Sequence, residues 1–173
     1  MAILTDNEIY KRLGTDIIIS PFNISQLNPN SYNITLNNEI QYYDSQVLDF
    51  NAKNSTISMY IPEEGLTIRP GKVILARSNE YTETHNLVPI INGRSSVGRL
   101  GLFIHVTAGF GDIGFKGYWT LELVASQPVT IYPNMKIAQL YYNTIEGVCD
   151  KPYQGKYNNN TGIQASEYYK EVK

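Results

Sequence analysis

The stretch YWTLELV, residues 118–124, alternates between apolar and polar positions. Successive side chains of an extended chain point to opposite sides, so Trp119, Leu121 and Leu123 share one face. The opposite face carries Glu122 near the middle of the run. This period of two predicts a β-strand with one buried face. It places a carboxylate either in solvent or in a pocket, and the strand alone leaves both possibilities open.

The chain on both sides of this strand repeats the β pattern. Short runs rich in β-branched and aromatic residues lie between Gly, Pro and Asn residues, which favour turns. The runs cover residues 16–20, 31–36, 73–77, 87–91, 103–107, 118–124, 129–132 and 136–142. RPGK at residues 69–72 suits a type II turn, and TDNE at residues 5–8 is typical of a capping box before a short helix. We therefore expect a mainly β barrel or sandwich with one short N-terminal helix.

The amino-acid composition limits the classes of function and partner that this chain can have. A net charge of −2 and the lack of a Lys/Arg cluster argue against a nucleic-acid partner. No apolar run approaches the ~20 residues of a membrane span, and the N-terminus does not resemble a signal peptide, so we expect no membrane partner and a cytoplasmic location. One Cys and two His are too few for a zinc deaminase, which uses at least three such ligands. Any deamination would therefore depend on a carboxylate.

The segment GRSSVGRLG, residues 93–101, contains two Arg, two Ser and three Gly between two predicted strands. Glycines allow the backbone to approach a ligand, while hydroxyl groups, backbone N–H groups and guanidinium groups bind anionic oxygens. That combination suits a triphosphate. A Gly-rich turn leading into a short helix with solvated Arg94 and Arg99 explains the same residues equally well.

Two further polar residues lie between this segment and Glu122. Asp112 is the only acid of the glycine-rich stretch 107–117, where it either caps a turn or faces a ribose or a metal. His105 lies in an apolar run, and we interpret it as a core histidine with satisfied hydrogen bonds. Residues 149–173 are polar and lack periodicity, which is typical of a frayed tail or of an arm that docks on the domain.

Taken together, these motifs resemble the core of the dCTP deaminases, members of the dUTPase-like superfamily. The resemblance rests on residues 93–102, 105–108 and 119–122 with Asp112, and it extends to NSYNITL at residues 30–36 and PYQGKY at residues 152–157. It implies a single domain over residues 1–173 with a dUTPase-like distorted β-barrel or jelly roll and a C-terminal lid arm at about residues 150–173. It also implies a homotrimer whose sites are shared between neighbouring subunits.

The resemblance further implies hydrolytic deamination of dCTP to dUTP and ammonia. Glu122 would be the general base, and Ser95 and Arg99 would lie near the attacking water. Magnesium would be bound through the triphosphate rather than by the protein, without zinc, and dTTP is a candidate inhibitor. The substrate-binding residues would be Arg94, Ser95, Ser96, Val97, Gly98, Arg99, Ala108, Asp112, Thr120, Leu121, Glu122, Tyr153, Lys156 and Asn160.

Two alternative functions belong to different classes. One is a bifunctional dCTP deaminase and dUTP diphosphatase that yields dUMP, with Asp112 activating water at the α-phosphate. The other is a nucleotide-binding regulatory trimer without catalysis. Gly111 occupies a position where bifunctional members usually have an apolar residue, so we expect dUTP to be the final product. Asn33 replaces the usual Asp of the early strand motif, and Asn160 stands where many relatives have a nucleotide-binding Gln.

Overall fold

The computed structural model describes residues 2–106 and 108–172, and most of its regular structure is β-strand. The helices are α1 (Asp6–Lys11) and α2 (Ser95–Gly98). The strands are β1 (Ile17–Ser20), β2 (Leu27–Asn28), β3 (Ser31–Tyr43), β4 (Thr56–Tyr60), β5 (Leu66–Ile68), β6 (Ile74–Thr84), β7 (Leu87–Gly93), β8 (Leu102–Ile104), β9 (Lys116–Ala125), β10 (Val129–Ile131) and β11 (Lys136–Thr144). Single 3₁₀ turns lie at Ile24–Gln26 and Tyr168–Lys170.

Most of these strands form one antiparallel sheet that curls towards a barrel. Its main path runs β7-β11-β3-β6-β9-β8, with β2 and β4 attached to β3 and β1 attached to β6. The two end strands lie close together. A Cβ added to Gly93 in β7 would lie 3.7 Å from the Cβ of Ile104 in β8. This mainly β, barrel-like architecture with a short N-terminal helix confirms the predicted fold class. The remaining strands, β5 and β10, form a separate antiparallel pair.

The core lies inside the curled sheet, and β9 shows how the sequence produces it. Trp119, Leu121 and Leu123 are buried, while the alternate residues Thr120 and Glu122 are only partly buried. Complete burial of one leucine side chain contributes about 1.5–3 kcal/mol, so this face fixes the register of the strand. The predicted alternation of 118–124 is therefore confirmed, and Glu122 is placed on the face opposite the core.

Several strand bounds differ from the prediction. β2, β4 and β5 were not expected, and β3 continues to Tyr43 instead of ending at residue 36. The second half of β3 pairs with both β4 and β6. That pairing extends the strand through the polar residues 37–39, which show no strand pattern, to the buried Ile40 and beyond, because pairing with neighbouring strands overrides local propensity.

The predicted strand 103–107 is also shorter than expected. β8 starts at Leu102 and ends at Ile104, because His105 has a left-handed φ of +47° that turns the chain out of the sheet. Thr107 lies outside the described residues.

The two local predictions, the capping box at residues 5–8 and the turn at residues 69–72, have different outcomes. α1 is present as predicted, but the Thr5 side chain makes no capping hydrogen bond, so the capping-box interpretation is wrong. The amide of Asn7 donates to Asp6 Oδ1 instead, at 2.8 Å. At residues 69–72 the type II turn is supported by Gly71, whose φ of +100° is the value that this turn requires at its third position. No helix in the described part of the chain is long and apolar enough to cross a membrane.

Candidate active site

A cavity of about 490 Å³, which we call the β9 cavity, lies between the solvent-side face of β9 and the C-terminal segment. Residues of several strands, of the loop before β9 and of the C-terminal stretch 153–166 contribute to its wall. Its lining residues are Tyr43, Val73, Leu75, His105, Ala108, Phe110, Gly111, Asp112, Phe115, Tyr118, Trp119, Thr120, Glu122, Tyr153, Tyr157, Asn160, Gln164, Ala165 and Ser166. The wall combines aromatic and aliphatic side chains with polar groups that include two carboxylates, which is typical of a small-molecule site.

Glu122 supplies a carboxylate to this cavity. The alternation of β9 turns its side chain away from the core, and 41% of that side chain is exposed. One carboxylate oxygen, Oε2, lies 2.6 Å from Nδ1 of His105. The register of β8 and β9 explains this contact, because the last pair of the ladder is Ile104 with Leu123. The next residues, His105 and Glu122, therefore lie opposite each other.

Asp112 supplies a second carboxylate from the loop that precedes β9. It is exposed at the cavity and its carbonyl accepts the amide hydrogen of Phe115 at 3.1 Å. The preceding residue must be small, because a Cβ on Gly111 would lie 2.7 Å from Trp119 and 2.9 Å from Pro89. The Gly111 amide also donates to the carbonyl of Pro89 at 2.8 Å. Close packing against Trp119 therefore fixes the backbone that presents Asp112.

The C-terminal segment closes one side of the cavity and is bonded to β9. Asn160 is 4% exposed, and its Nδ2 donates to the carbonyl of Tyr118 at 2.9 Å and to Oγ1 of Thr120 at 3.2 Å. The amide of Gln164 donates to the same Thr120 hydroxyl at 3.0 Å. Tyr153 packs against the core, and its amide donates to Ile113 at 2.7 Å. The arm interpretation of this segment thus fits the structure better than a frayed tail.

Two residues expected at the site lie elsewhere. Leu121 is completely buried on the core face, so its side chain does not line the cavity, as strand alternation requires. Lys156 is paired with Glu171, and the hydrogen bond to this carboxylate raises the pKa of the lysine. Its ammonium also lies 5.3 Å from the ring centre of Tyr157. Lys156 thus pairs with Glu171 and does not line the β9 cavity, so its predicted role in substrate binding stays a prediction.

The segment 93–101 lies outside the β9 cavity. Arg94, Ser96 and Val97 line a separate groove of about 530 Å³ beside α2, which we call the α2 groove. Ser95, Gly98 and Arg99 line neither concavity. The end of the segment is fixed next to Ser126, whose amide donates to the carbonyl of Gly101 at 2.8 Å. Ser126 lies four residues along the chain from Glu122, or about 13 Å at the usual rise of a strand.

The structure therefore divides the expected site residues into two groups. Ala108, Asp112, Thr120, Glu122, Tyr153 and Asn160 share the β9 cavity. Arg94, Ser95, Ser96, Val97, Gly98 and Arg99 lie on or beside α2. Within one chain, Ser95 and Arg99 do not lie beside Glu122 in the cavity.

Two of the lining residues that the sequence analysis did not assign to the site have a buried polar atom without a partner in the described chain. His105 was interpreted as a satisfied core histidine, but it contacts Glu122, and its Nε2 is buried with no hydrogen-bond partner among the described residues. Its place opposite Glu122 could have been inferred only from the register of β8 and β9. Gln164 also lines the cavity, and its Oε1 is buried without a partner in the described chain. It lies four residues beyond Asn160 in a segment without periodicity, so no local signal marks it.

The comparison with known protein families identifies the family of the chain that forms this cavity. The dCTP deaminase-like (DCD) family model matches residues 3–145, which contain both concavities except for the C-terminal wall. The chain belongs to the dCTP deaminase-like family. No group of three or more His, Cys, Asp or Glu side chains that could hold a metal ion occurs in the described residues of this family member.

Relatives in this family match along nearly the whole chain. A protein of Clostridium botulinum (strain Eklund 17B / Type B), named "dCTP deaminase, dUMP-forming", is 56% identical over 169 residues, which cover 98% of each chain. Proteins with the same name from Hathewaya histolytica and Cytophaga hutchinsonii are 56% and 53% identical, again over 98% of each chain. These matches extend through the C-terminal segment that the family model leaves out.

A solved structure shows the same fold. The 2′-deoxycytidine 5′-triphosphate deaminase of Agrobacterium tumefaciens superimposes with a TM-score of 0.64 at 16% sequence identity, covering 81% of this chain. This chain spans about half of that longer protein, 47% of its length. At this identity the likeness concerns the fold, and it agrees with the dCTP deaminase-like family.

Proposed function

We propose that this protein converts dCTP to dUMP through two hydrolytic steps in one site. The observation that carries the proposal is the presence of two carboxylates, Glu122 and Asp112, in the wall of the same β9 cavity. Relatives more than 50% identical over 98% of each chain are named dUMP-forming dCTP deaminases, which supports the same reading. These names favour the bifunctional alternative over the expectation that dUTP is the final product.

Close packing explains why residue 111, which argued against dUTP cleavage, is a glycine. Gly111 touches Trp119 and Pro89 so closely that no side chain fits. Its identity therefore reflects the path of the loop in this chain. It does not argue against a role for Asp112, because the carboxylate of the next residue still reaches the cavity.

In the first step, Glu122 acts as the general base in the hydrolysis of the amino group. It takes a proton from water, and the resulting hydroxide attacks the amino-bearing ring carbon of cytosine. That first proton passes to the neighbouring ring nitrogen and stays there. The proton of the newly added hydroxyl group then passes to the amino nitrogen, the carbon–nitrogen bond breaks, and dCTP and water give dUTP and ammonia. General acid–base catalysis of this kind contributes ~10²–10⁴-fold, and ordered hydrogen bonds supply the remainder. A carboxylate mechanism without zinc agrees with a chain that has one Cys and two His.

In the second step, Asp112 activates water for attack on the α-phosphate. The bond between the α-phosphorus and the bridging oxygen breaks, so that dUTP and water give dUMP and pyrophosphate. Asp112 is exposed at the cavity, where an accessible carboxylate can accept a proton from water. The two carboxylates would thus act on opposite ends of one nucleotide.

The triphosphate would be bound by the segment 93–101 of a neighbouring copy in a homotrimer. Ser95 and Arg99 lie away from Glu122 within one chain, and a site shared between copies would bring the two groups together. Arg94 and Arg99 suit bidentate contacts to phosphate, and Ser95 and Ser96 suit single hydrogen bonds. Magnesium would be bound through the triphosphate oxygens, which are hard ligands of the kind that it prefers.

The decisive experiment is a product assay. Purified protein is incubated with dCTP and magnesium, and dCTP, dUTP and dUMP are separated by chromatography while ammonia and pyrophosphate are measured. We expect ammonia, pyrophosphate and dUMP in equal amounts. Accumulation of dUTP without pyrophosphate would support a monofunctional deaminase, and nucleotide binding without any product would support the regulatory trimer.

A further inference from the structure

His105 occupies a special position at the end of β8. The antiparallel ladder of β8 and β9 ends with Ile104 opposite Leu123, and the amide of His105 then donates to the carbonyl of Glu122 at 3.2 Å. Directly opposed residues of neighbouring strands have side chains close enough to interact. The backbone of His105 is therefore bonded to the same residue whose carboxylate its ring contacts.

The ring of His105 is held in place from several sides. Its side chain is 6% exposed, whereas that of Glu122 is 41% exposed, so the imidazole lies behind the carboxylate as seen from the cavity. Nδ1 lies 2.6 Å from Oε2 of Glu122. The indole of Trp119 lies edge-on to the imidazole, with ring centres 6.5 Å apart and an angle of 80° between the planes. A non-glycine residue at a φ of +47° is uncommon, and such backbone geometry concentrates at functional sites.

The second ring nitrogen argues against a purely structural role. Nε2 is buried and has no hydrogen-bond partner among the described residues. A buried polar atom without a partner lowers stability, so a histidine serving only the fold would be expected to have both nitrogens bonded. Among residues 2–106 and 108–172, the contact to Glu122 is the one hydrogen bond that its ring makes.

We propose that His105 is a positioning residue that orients the catalytic carboxylate of Glu122. This proposal rests on the proposed deaminase function. A neutral imidazole with its proton on Nδ1 donates to Oε2, which fixes the carboxylate plane. Oε1 accepts no hydrogen bond in the described chain and stays available to water. Glu122 takes and returns the proton during the reaction, while the proton count of His105 does not change.

The first test distinguishes a role of His105 in orienting Glu122 from a role in binding the substrate. In His105→Ala, we expect kcat to fall about 10- to 100-fold while KM stays within about threefold, because the carboxylate is present but misoriented. His105→Asn should restore kcat to within about threefold of wild type, since the amide nitrogen of Asn can occupy the place of Nδ1 and Asn tolerates positive φ. His105→Gln extends the amide beyond that place and should not restore kcat.

The matched control is the other histidine of the chain. His85 also contacts a carboxylate, with Nε2 lying 3.3 Å from Oε2 of Glu83, but it does not line the cavity. His85→Asn should leave both kinetic constants unchanged. An unchanged kcat in His105→Ala, a loss confined to KM, or equal rescue by Gln and Asn would each overturn the proposal.

A second measurement does not depend on the alanine variant folding or on any activity. Nitrogen-15 NMR of histidine-labelled protein reports which ring nitrogen carries the proton, and with two histidines the signals are assigned by His85→Asn. We expect His105 to be protonated on Nδ1, and Glu122→Gln to shift its signals while those of His85 stay in place. A proton on Nε2, or no response to Glu122→Gln, would contradict the pairing. If the wild-type protein did not deaminate dCTP, the proposed function would fail while this result could still confirm the pairing.

Discussion

The carboxylate of Glu122 illustrates how one residue combines a structural and a chemical constraint. The buried residues on either side of it, Leu121 and Leu123, fix the strand register. That register leaves the Glu122 side chain no place in the core, so it faces the cavity and His105. Its chemical task needs only a proton-accepting oxygen at that position, and this requirement can be tested by a substitution that keeps the shape.

We predict that Glu122→Gln abolishes ammonia release from dCTP and lowers turnover by at least about 10²-fold, because the amide cannot accept the proton. The fold should be unaffected, since the side chain is half exposed and its shape is retained. Turnover is measured by ammonia release and folding by thermal melting. Activity within tenfold of wild type would remove Glu122 from the role of base.

For the second carboxylate, Asp112, we predict the opposite change in the released products. In Asp112→Asn we expect ammonia release to continue while pyrophosphate release falls by about 10²-fold or more, so that dUTP accumulates. Asp112 is exposed, so its replacement should leave thermal stability within about 0.5 kcal/mol of wild type. Chromatography of the nucleotides distinguishes the outcomes. If Asp112→Asn still formed dUMP at the wild-type rate, the second step would need another base.

Residues whose role depends on local chemistry could be predicted from the sequence, whereas those whose role depends on tertiary contacts could not. The local context of Asp112 and Glu122 allowed a structural as well as a functional interpretation, and the resemblance to the dCTP deaminases placed both in the predicted site. His105 was misinterpreted because its partner lies 17 residues away across a strand pair. Gln164 was missed because the path of the C-terminal segment over β9 is set by hydrogen bonds to Thr120.

At the scale of elements, the C-terminal segment has two parts that differ in how they are held. The first part is bonded to β9 and the loop before it through Tyr153, Asn159 and Asn160. The second part rests on the end of β3 and on the loop after it. The amide of Ser166 donates to the hydroxyl of Tyr43, the last residue of β3, at 3.0 Å, and the Tyr168 ring lies edge-on to Phe50 at 5.2 Å. The first part belongs to the fold, and the second begins at Ser166, the last residue of the segment that lines the cavity.

We predict that two truncations separate these parts. Ending the chain after Asp150 removes the Tyr153 packing and the buried Asn160 hydrogen bonds, each worth about 0.5–1.5 kcal/mol, so the melting temperature should fall by more than about 4 °C. Ending it after Ser166 removes mainly exposed contacts and should lower the melting temperature by less than about 2 °C while raising KM for dCTP. Thermal melting and steady-state kinetics measure both effects. An unchanged KM in the shorter deletion would show that residues 167–173 do not close the site.

The elements themselves were predictable to the extent that they show a repeating pattern. β9 and β11 have the expected bounds within two residues, whereas β3 and β6 continue seven residues beyond the predicted ends because they pair with several neighbouring strands. β4 was missed because it is largely exposed and has no burial pattern. It exists because β3 offers it an unpaired edge, and that edge depends on the rest of the sheet.

At the scale of the whole molecule, the two concavities of one chain are complementary in chemistry. The β9 cavity contains the carboxylates and aromatic rings that suit a base and a sugar, whereas the α2 groove has Arg94 and Lys136 in its wall. The segment between them exposes apolar side chains, including Leu100, Phe103 and Val106. A second copy that covers this surface would bury it and bring a cationic segment to a cavity that lacks one, which is the physical basis for a shared site.

We predict that two inactive variants complement each other when mixed. Glu122→Gln lacks the base but has an intact segment 93–101, and Arg99→Ala has the base but lacks the guanidinium group that this segment would bring to the shared site. In a threefold ring with sites shared between neighbours, random mixing in equal amounts places an intact Glu122 next to an intact Arg99 in about a quarter of sites. The mixture, unfolded together and refolded, should therefore recover about a quarter of wild-type turnover. Light scattering should give the mass of three chains. As a control, each variant is refolded alone and should stay inactive. A mixture as inactive as its two components would show that each chain builds its site from its own residues.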